Sequence, residues 1–265
     1  VDREKKITAL FKKAGTADYP LNINIEGEGT VEEELIQPKS TNYPEGTVVK
    51  LTAIQSENWE FLEWRGAVTS NDAVIELSVL EETTLTVTFE KPFFLHQNSI
   101  TIMCPNTEPG DRGIVNDVEY ESVDRILLEQ RRDEGADLTK VCTSLVTDMR
   151  DMFYETNFNQ PIGNWDVSNV TDMVRMFDNS PFNQPIGEWD VSSVEVMENM
   201  FNETPFNQPI GNWDVSNVRD MFRMFSFSDF NQPIGDWDMS SVKSIGRMFL
   251  ETPFNQPVQN WDVSN

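Results

Sequence analysis

The words Phe-Asn-Gln-Pro occur five times, beginning at Phe158, Phe182, Phe206, Phe230 and Phe254, and each return comes 24 residues after the last. Tryptophan keeps the same step at Trp165, Trp189, Trp213, Trp237 and Trp261. A degenerate copy, CTSLVTDMRDMF from Cys142 to Phe153, precedes them. A fixed period of this length means stacked units, because one unit cannot bury its own apolar face and a stack can.

Residue types suggest the path of one coil. Ile162, Trp165 and Val167 follow the L-x-x-L-x-L spacing, and Val170, Met173, Met176 and Phe177 form a helical stripe. Ser168 and Asn169 offer N-cap oxygens ahead of that stripe. Pro161 cannot donate to a ladder and marks the entry to a strand. The expected fold is therefore an α/β leucine-rich-repeat solenoid of 24-residue coils. Each coil has a short parallel strand near residues 164–167 and a helical return, and a small all-β domain comes first. Ser recurs at 144, 168, 192, 216, 240 and 264. The last coil is half written at Asn265, so 142–265 reads as a solenoid truncated at its C-terminus.

The pattern F-N-Q-P-I-G-x-W-D-V-S-x-V, with the M-F that closes each copy, resembles the BspA-like leucine-rich repeat of bacterial surface lipoproteins over 142–265. That resemblance implies display on the bacterial surface, adhesion to host or matrix components, and cell-cell contact. The C-x-x-L-V-T-D-M opening and the earlier M-C-P resemble the entry segment of such proteins, which implies a Cys104–Cys142 disulfide. By themselves the two cysteines are compatible with one disulfide or with two buried thiols, and they are too few for a zinc site.

Ahead of the repeats, residues 1–18 read as a charged linker or tail. Residues 19–91 alternate as short strands: LNINI, TVVKLTAI, NWEFLEWRG, AVIELSV and TLTVTFE, with turn signals at EGEG and YPEG. The pieces GEGTV, YPEGTVVKLTA, WEFLEWRG and LTVTFE resemble the divergent internalin B-type repeat, which implies a spacer or stalk. Residues 92–141 stand where a solenoid needs its first open face covered. There NSITIMC reads as a strand and Asn116-Asp117 as a hairpin turn. SVDRILLEQRRDEG reads as a helix capped by Ser122, striped by Val123, Ile126 and Leu127, and stopped by Gly135.

Net charge is -25 and the pI is about 4.2. Such a chain repels phosphate backbones and anionic lipid, so nucleic-acid and membrane-surface binding are not expected. No run of 18 apolar residues is present for a membrane span. The start at Val1, without Met or a signal pattern, reads as a trimmed or mature chain. The surface-lipoprotein resemblance leaves room for a lipid anchor upstream.

Catalytic motifs are missing from the sequence. His96 is the one histidine, and no G-x-S-x-G, P-loop or G-x-G-x-x-G occurs. The chain is not expected to be an enzyme. The carboxylates pose a sharper question. Asp166, Asp190, Asp214, Asp238 and Asp262 sit between inward Trp and Val (Met239 in the fourth copy), so strand alternation sends them to a concave face. Asn164, Glu188, Asn212, Asp236 and Asn260 go with them. Stacked carboxylates about 5 Å apart repel by roughly 0.8 kcal/mol per pair in water. Hydrogen bonds from Ser, Asn or backbone N–H groups would offset this, or Ca²⁺ on Asp166, Asp190, Asp214 and Asp238, or a basic or hydroxyl-rich ligand. Five near-identical positions give no asymmetry between acid and base, which argues against glycoside hydrolysis.

The Trp residues read as core and not as sugar platforms, and Asn159 and its equivalents as a backbone-bonding ladder. The constant Gln has no evident role. The expected function is a non-enzymatic surface binding or adhesion protein. It would contact an extracellular protein or matrix component through Asn164, Asp166, Glu188, Asp190, Asn212, Asp214, Asp236 and Asp238. A glycan-binding module and a structural spacer are the alternatives.

Overall fold

The computed structural model describes residues 9–10, 17–34 and 42–262; the reading of 1–18 as a tail lies mostly outside them, as does Ser264. The chain divides into two compact units, Val1–Pro92 and Phe93–Asn265.

The first unit is all β. One sheet pairs Thr47–Gln55 with Gly29–Glu34 on one side and Val74–Val79 on the other, both antiparallel. A second sheet has Thr83–Glu90 at its centre, parallel to Leu21–Glu26 and antiparallel to Glu60–Gly66. Alternation delivers Val49 and Leu51, Leu77 and Val79, and Leu85, Val87 and Phe89 to one buried cluster around Trp64. The Trp64 indole N–H donates to the Asp72 carbonyl at 3.1 Å, so its burial leaves no orphan donor. Gly27 turns the chain at φ +85, and a Cβ there would collide with the Phe89 carbonyl.

The second unit opens with small sheets. Phe94–Leu95 pairs with Ile102–Met103, and Arg112–Val115 pairs with Val118–Ser122 through Asn116 and Asp117, both at positive φ. Val118–Ser122 also pairs, in parallel, with Val141–Cys142. A disulfide joins Cys104 to Cys142. The helix spans Arg125–Asp133, and its N-cap is Asp124, whose carboxylate accepts from the Leu127 N–H at 2.8 Å. Ser122 is therefore strand, not cap. Starting the helix at Arg125 also turns its faces: Leu128 is buried and Ile126 is 76 % exposed.

Regular secondary structure ends at Cys142. The expected α/β leucine-rich-repeat solenoid is overturned, because the described repeat residues contain neither a helix nor a multi-residue strand. The described residues as a whole are largely β, with one α-helix that precedes the repeats. The expected strand region, 164–167, has no ladder. Coils touch instead at isolated parallel bridges, Asp148–Asp172, Asp172–Val196, Val196–Asp220 and Asp220–Ser244. These fall in the segment expected to be helical.

The hydrogen bonds show why no helix forms there. The N–H groups of Met149, Asp151, Phe153 and Glu155 donate to the carbonyls of Asp172, Val174, Met176 and Asp178 in the next coil, at 2.8–3.0 Å. Met152, Tyr154 and Thr156 instead close tight turns onto the carbonyls three residues back. Every second N–H thus leaves the coil, and the same scheme recurs down the stack. A helix would keep them all. Asp151 and Glu155, and their counterparts in each coil through Arg247 and Glu251, take positive φ, which also breaks helical geometry.

Side chains stack in the same order. Two Phe columns run through the core, with rings 5.6–6.2 Å apart between coils and 3.7–4.0 Å apart within a coil. Each Trp indole donates to a carbonyl of the preceding coil: Trp189 to Ile162, Trp213 to Ile186, Trp237 to Ile210. Each Asn Oδ1 receives two donors from the next coil, the Asn N–H and the Gln Nε2, as Asn183 does from Asn207 and Gln208. That is the role of the constant Gln.

Arg125 and Arg132 of the helix cap the stack. The carbonyls of Asp148, Arg150 and Met152 are equivalent to those that accept inter-coil N–H groups lower down. Arg125 donates to Asp148 and Arg150 at 2.9 and 2.7 Å, and Arg132 donates to Met152. Guanidinium groups stand where the N–H groups of a preceding coil would be. Arg132→Met should lower unfolding stability by about 2 kcal/mol, the scale of a charged hydrogen bond, read by chemical denaturation.

The Gly of P-I-G has a steric reason. A Cβ on Gly163, Gly187, Gly211 or Gly235 would lie 2.6–2.8 Å from the Pro carbonyl of the next coil. Gly211→Ala should cost about 1–3 kcal/mol by forcing two coils apart, read as a lowered thermal midpoint.

Candidate functional site

The sequence points to the residues flanking each Trp, and the structure separates them by coil. In the first coil they are covered. Asp166 is 3 % exposed, and its carboxylate accepts from the Ser144 hydroxyl, the Ser168 hydroxyl and the Ser168 N–H. Asn164 is half buried; its amide donates to the Thr139 carbonyl, and its own carbonyl accepts from the Ile102 N–H. Neither is free to meet a ligand as the sequence reading supposed.

In the later coils the same positions are open. Glu188, Asp190, Asn212, Asp214, Asp236 and Asp238 are all exposed. They do not stand on a concave sheet, since no sheet forms there. Glu188, Asn212 and Asp236 line a groove of about 490 Å³ with Pro185, Pro209 and Pro233 and the close-packed glycines. A hollow of about 310 Å³ lies between Glu188, Asp190 and Asp166 on one side and His96, Asn98 and Thr101 on the other. The sequence reading took His96 only as the single histidine and not as a neighbour of these carboxylates, because its position beside them depends on how residues 94–103 fold back on the first coil.

Local geometry holds the Asp row. Asp190, Asp214 and Asp238 each accept the N–H of the Ser two residues on, at 3.0–3.1 Å, and Asp190 also accepts the Ser192 hydroxyl at 2.6 Å. This is the Asx-turn pattern. It offsets the repulsion between stacked carboxylates inside each coil. The Ser240 hydroxyl, then its N–H, holds the Asp238 carboxyl below the usual range. Among the described residues, no group of three or more His, Cys, Asp or Glu is arranged to hold a metal ion.

A hollow of about 690 Å³ lies near Arg131. Its charges are matched internally. Arg131 grips Glu121 with two bonds of 2.8 Å and Glu134 with one of 2.9 Å, and the Arg131 hydrogen bond lowers the Glu121 pKa.

A lowered Asp pKa in the fold stabilises it above the unfolded value, and that contribution is lost as pH falls through the folded one. Ser240→Ala should therefore move the Asp238 titration midpoint upward, followed by carboxyl-carbon NMR; an unmoved midpoint would rule out the hydroxyl as its cause.

Two family models match. Residues 19–92 match the divergent InlB B-repeat domain. Residues 123–228 and 182–265 each match the family described as Mycoplasma protein of unknown function, DUF285. No curated protein and no solved structure matches the chain. The first unit is thus similar to an InlB-type repeat, and because the second family's matches together span 123–265, more than half of the chain, this protein belongs to the DUF285 family.

Proposed function

We propose that this is a non-enzymatic bacterial surface protein that binds an extracellular protein partner along the acidic groove of its coil stack. The carrying observation is the open row Glu188, Asp190, Asp214, Asp236 and Asp238, repeated coil by coil and fixed by Asx turns at Asp190, Asp214 and Asp238. A rigid row of carboxylates beside a Pro-Gly groove suits an extended segment bearing Lys or Arg, because complementary charge steers encounter and fixes register. Both matched families are typical of bacterial surface proteins, and the likeness of the repeat to that of BspA-like lipoproteins supports adhesion as the purpose. The InlB-type unit serves as a spacer.

The buried indoles favour a protein ligand over a glycan. Every Trp in the stack spends its N–H on a backbone carbonyl, Trp165 on Leu138 of the capping segment and the others on the preceding coil, and those from Trp165 to Trp237 are at most 3 % exposed, leaving no platform for a sugar ring.

The test is a binding panel of immobilised matrix proteins and glycans, run with calcium and with chelator. A variant carrying Glu188→Gln, Asp190→Asn, Asp214→Asn and Asp238→Asn should lose about tenfold or more in affinity for the protein that is captured. Undiminished binding by that variant would sink the groove assignment. Loss of wild-type binding in chelator would add a cation to the interface, and capture by glycans alone would replace the protein partner.

A further inference from the structure

The turn segments of the last two coils differ from those above them. Residues 195–203 carry Glu195, Glu198 and Glu203 and no base. Residues 219–227 carry Arg219 and Arg223 against Asp220, and residues 243–251 carry Lys243 and Arg247 against Glu251. In a chain of net charge -25 this is a local reversal of sign.

Higher in the stack the arginines are spent on carboxylates of adjacent coils: Arg150 on Asp172, and Arg175 on Asp151. Arg219 is likewise tied to Glu195. Arg223, Lys243 and Arg247 make no ion pair among the described residues. The Arg223 guanidinium lies 5.4 Å over the Phe222 ring, and its Nε is buried with no hydrogen-bond partner. Beside them Phe227 is 51 % exposed, at φ +57, where the coils above and below place Asn179, Glu203 and Glu251. A bulky apolar side chain in a left-handed conformation on the surface is disfavoured twice over. Exposed aromatics with unpaired Arg are the composition of interface hot spots.

We infer that this basic-aromatic strip docks onto the acidic groove of a second copy of the same chain, in a head-to-tail contact. The inference rests on the groove reading above, since it names that groove as one half of the contact. Two features select a second copy. The charges are complementary, and both rows share one spacing: Arg223 and Arg247 are one coil apart, as are Asp190, Asp214 and Asp238. Two rows built on the same coil rise stay in register when laid side by side. The negative charge of the remaining surface opposes approach by other faces, which leaves the strip as the oriented contact. Unlike patches in contact leave one strip and one groove free, so the assembly grows head to tail, into a ring where the rotation between copies closes and into a filament where it does not.

Sedimentation analysis of the full chain tests this. At about 50 mM salt the average mass should rise with concentration, and at about 500 mM it should return to that of the monomer. Arg223→Asn with Arg247→Asn removes the strip; Asn199 occupies the same column, so the fold tolerates it. Asp190→Asn, Asp214→Asn and Asp238→Asn, made with Glu188→Gln and Asp236→Asn, removes the acidic row and keeps the oxygens that accept the Ser N–H groups. Each variant alone should stay monomeric, and an equal mixture should form a one-to-one complex. Phe227→Asn should weaken association without lowering the thermal midpoint. A monomeric wild type at about 50 mM salt, a strip variant that still associates, or a mixture that fails to combine overturns the proposal. The strip variant should still capture the panel protein. A wild type that captures the panel protein but does not self-associate fails this inference and leaves the groove reading standing.

Discussion

The second unit depends on one hydrogen-bonding choice. In each turn segment alternate N–H groups leave the coil for carbonyls of the next, and those between close tight turns within it. This satisfies the backbone without helix or sheet, which a buried segment must do somehow. It also sets the coil rise, and through it every side-chain column. Phe on Phe, Trp indole on carbonyl and Asn on Gln all follow from coils locked at one spacing.

The locking has a cost at both the residue and the stack level. Two positions in each coil take positive φ without glycine, a conformation that L residues rarely adopt. The stack also needs its first carbonyls covered, and the helix Arg125–Asp133 supplies guanidinium groups for them. The disulfide between Cys104 and Cys142 ties the capping segment to the point where the coils begin. The capping segment and the start of the first coil bury Asp166 and half bury Asn164, while their counterparts below are exposed.

A repeated coil repeats its surface as well, so a new surface feature arises only where copies differ. The acidic row is nearly uniform along the exposed coils. The basic strip exists because Arg223, Lys243, Arg247 and Phe227 break the pattern of the coils above. Departures from the repeat are therefore as informative as the repeat, since the core constrains the inward positions and leaves the outward ones free to vary.

Much was legible in the sequence. The period fixed the coil length and the stacking, and strand alternation picked out Ile75, Leu77 and Val79 and Leu85, Val87 and Phe89 as buried, whereas Ile25 of the alternating LNINI is 44 % exposed. The Asp row and its Ser partners were visible as well, since an Asx turn is a two-residue matter. The path of the chain inside a coil was not. Val170, Met173, Met176 and Phe177 fit a helical stripe, yet consecutive tight turns bury the same positions. Local spacing does not distinguish N–H groups that bond within a coil from those that bond to the next. Only the neighbouring coil, supplying a carbonyl to every second N–H, decided between them, and with that decision went the sheet on which the binding face had been expected.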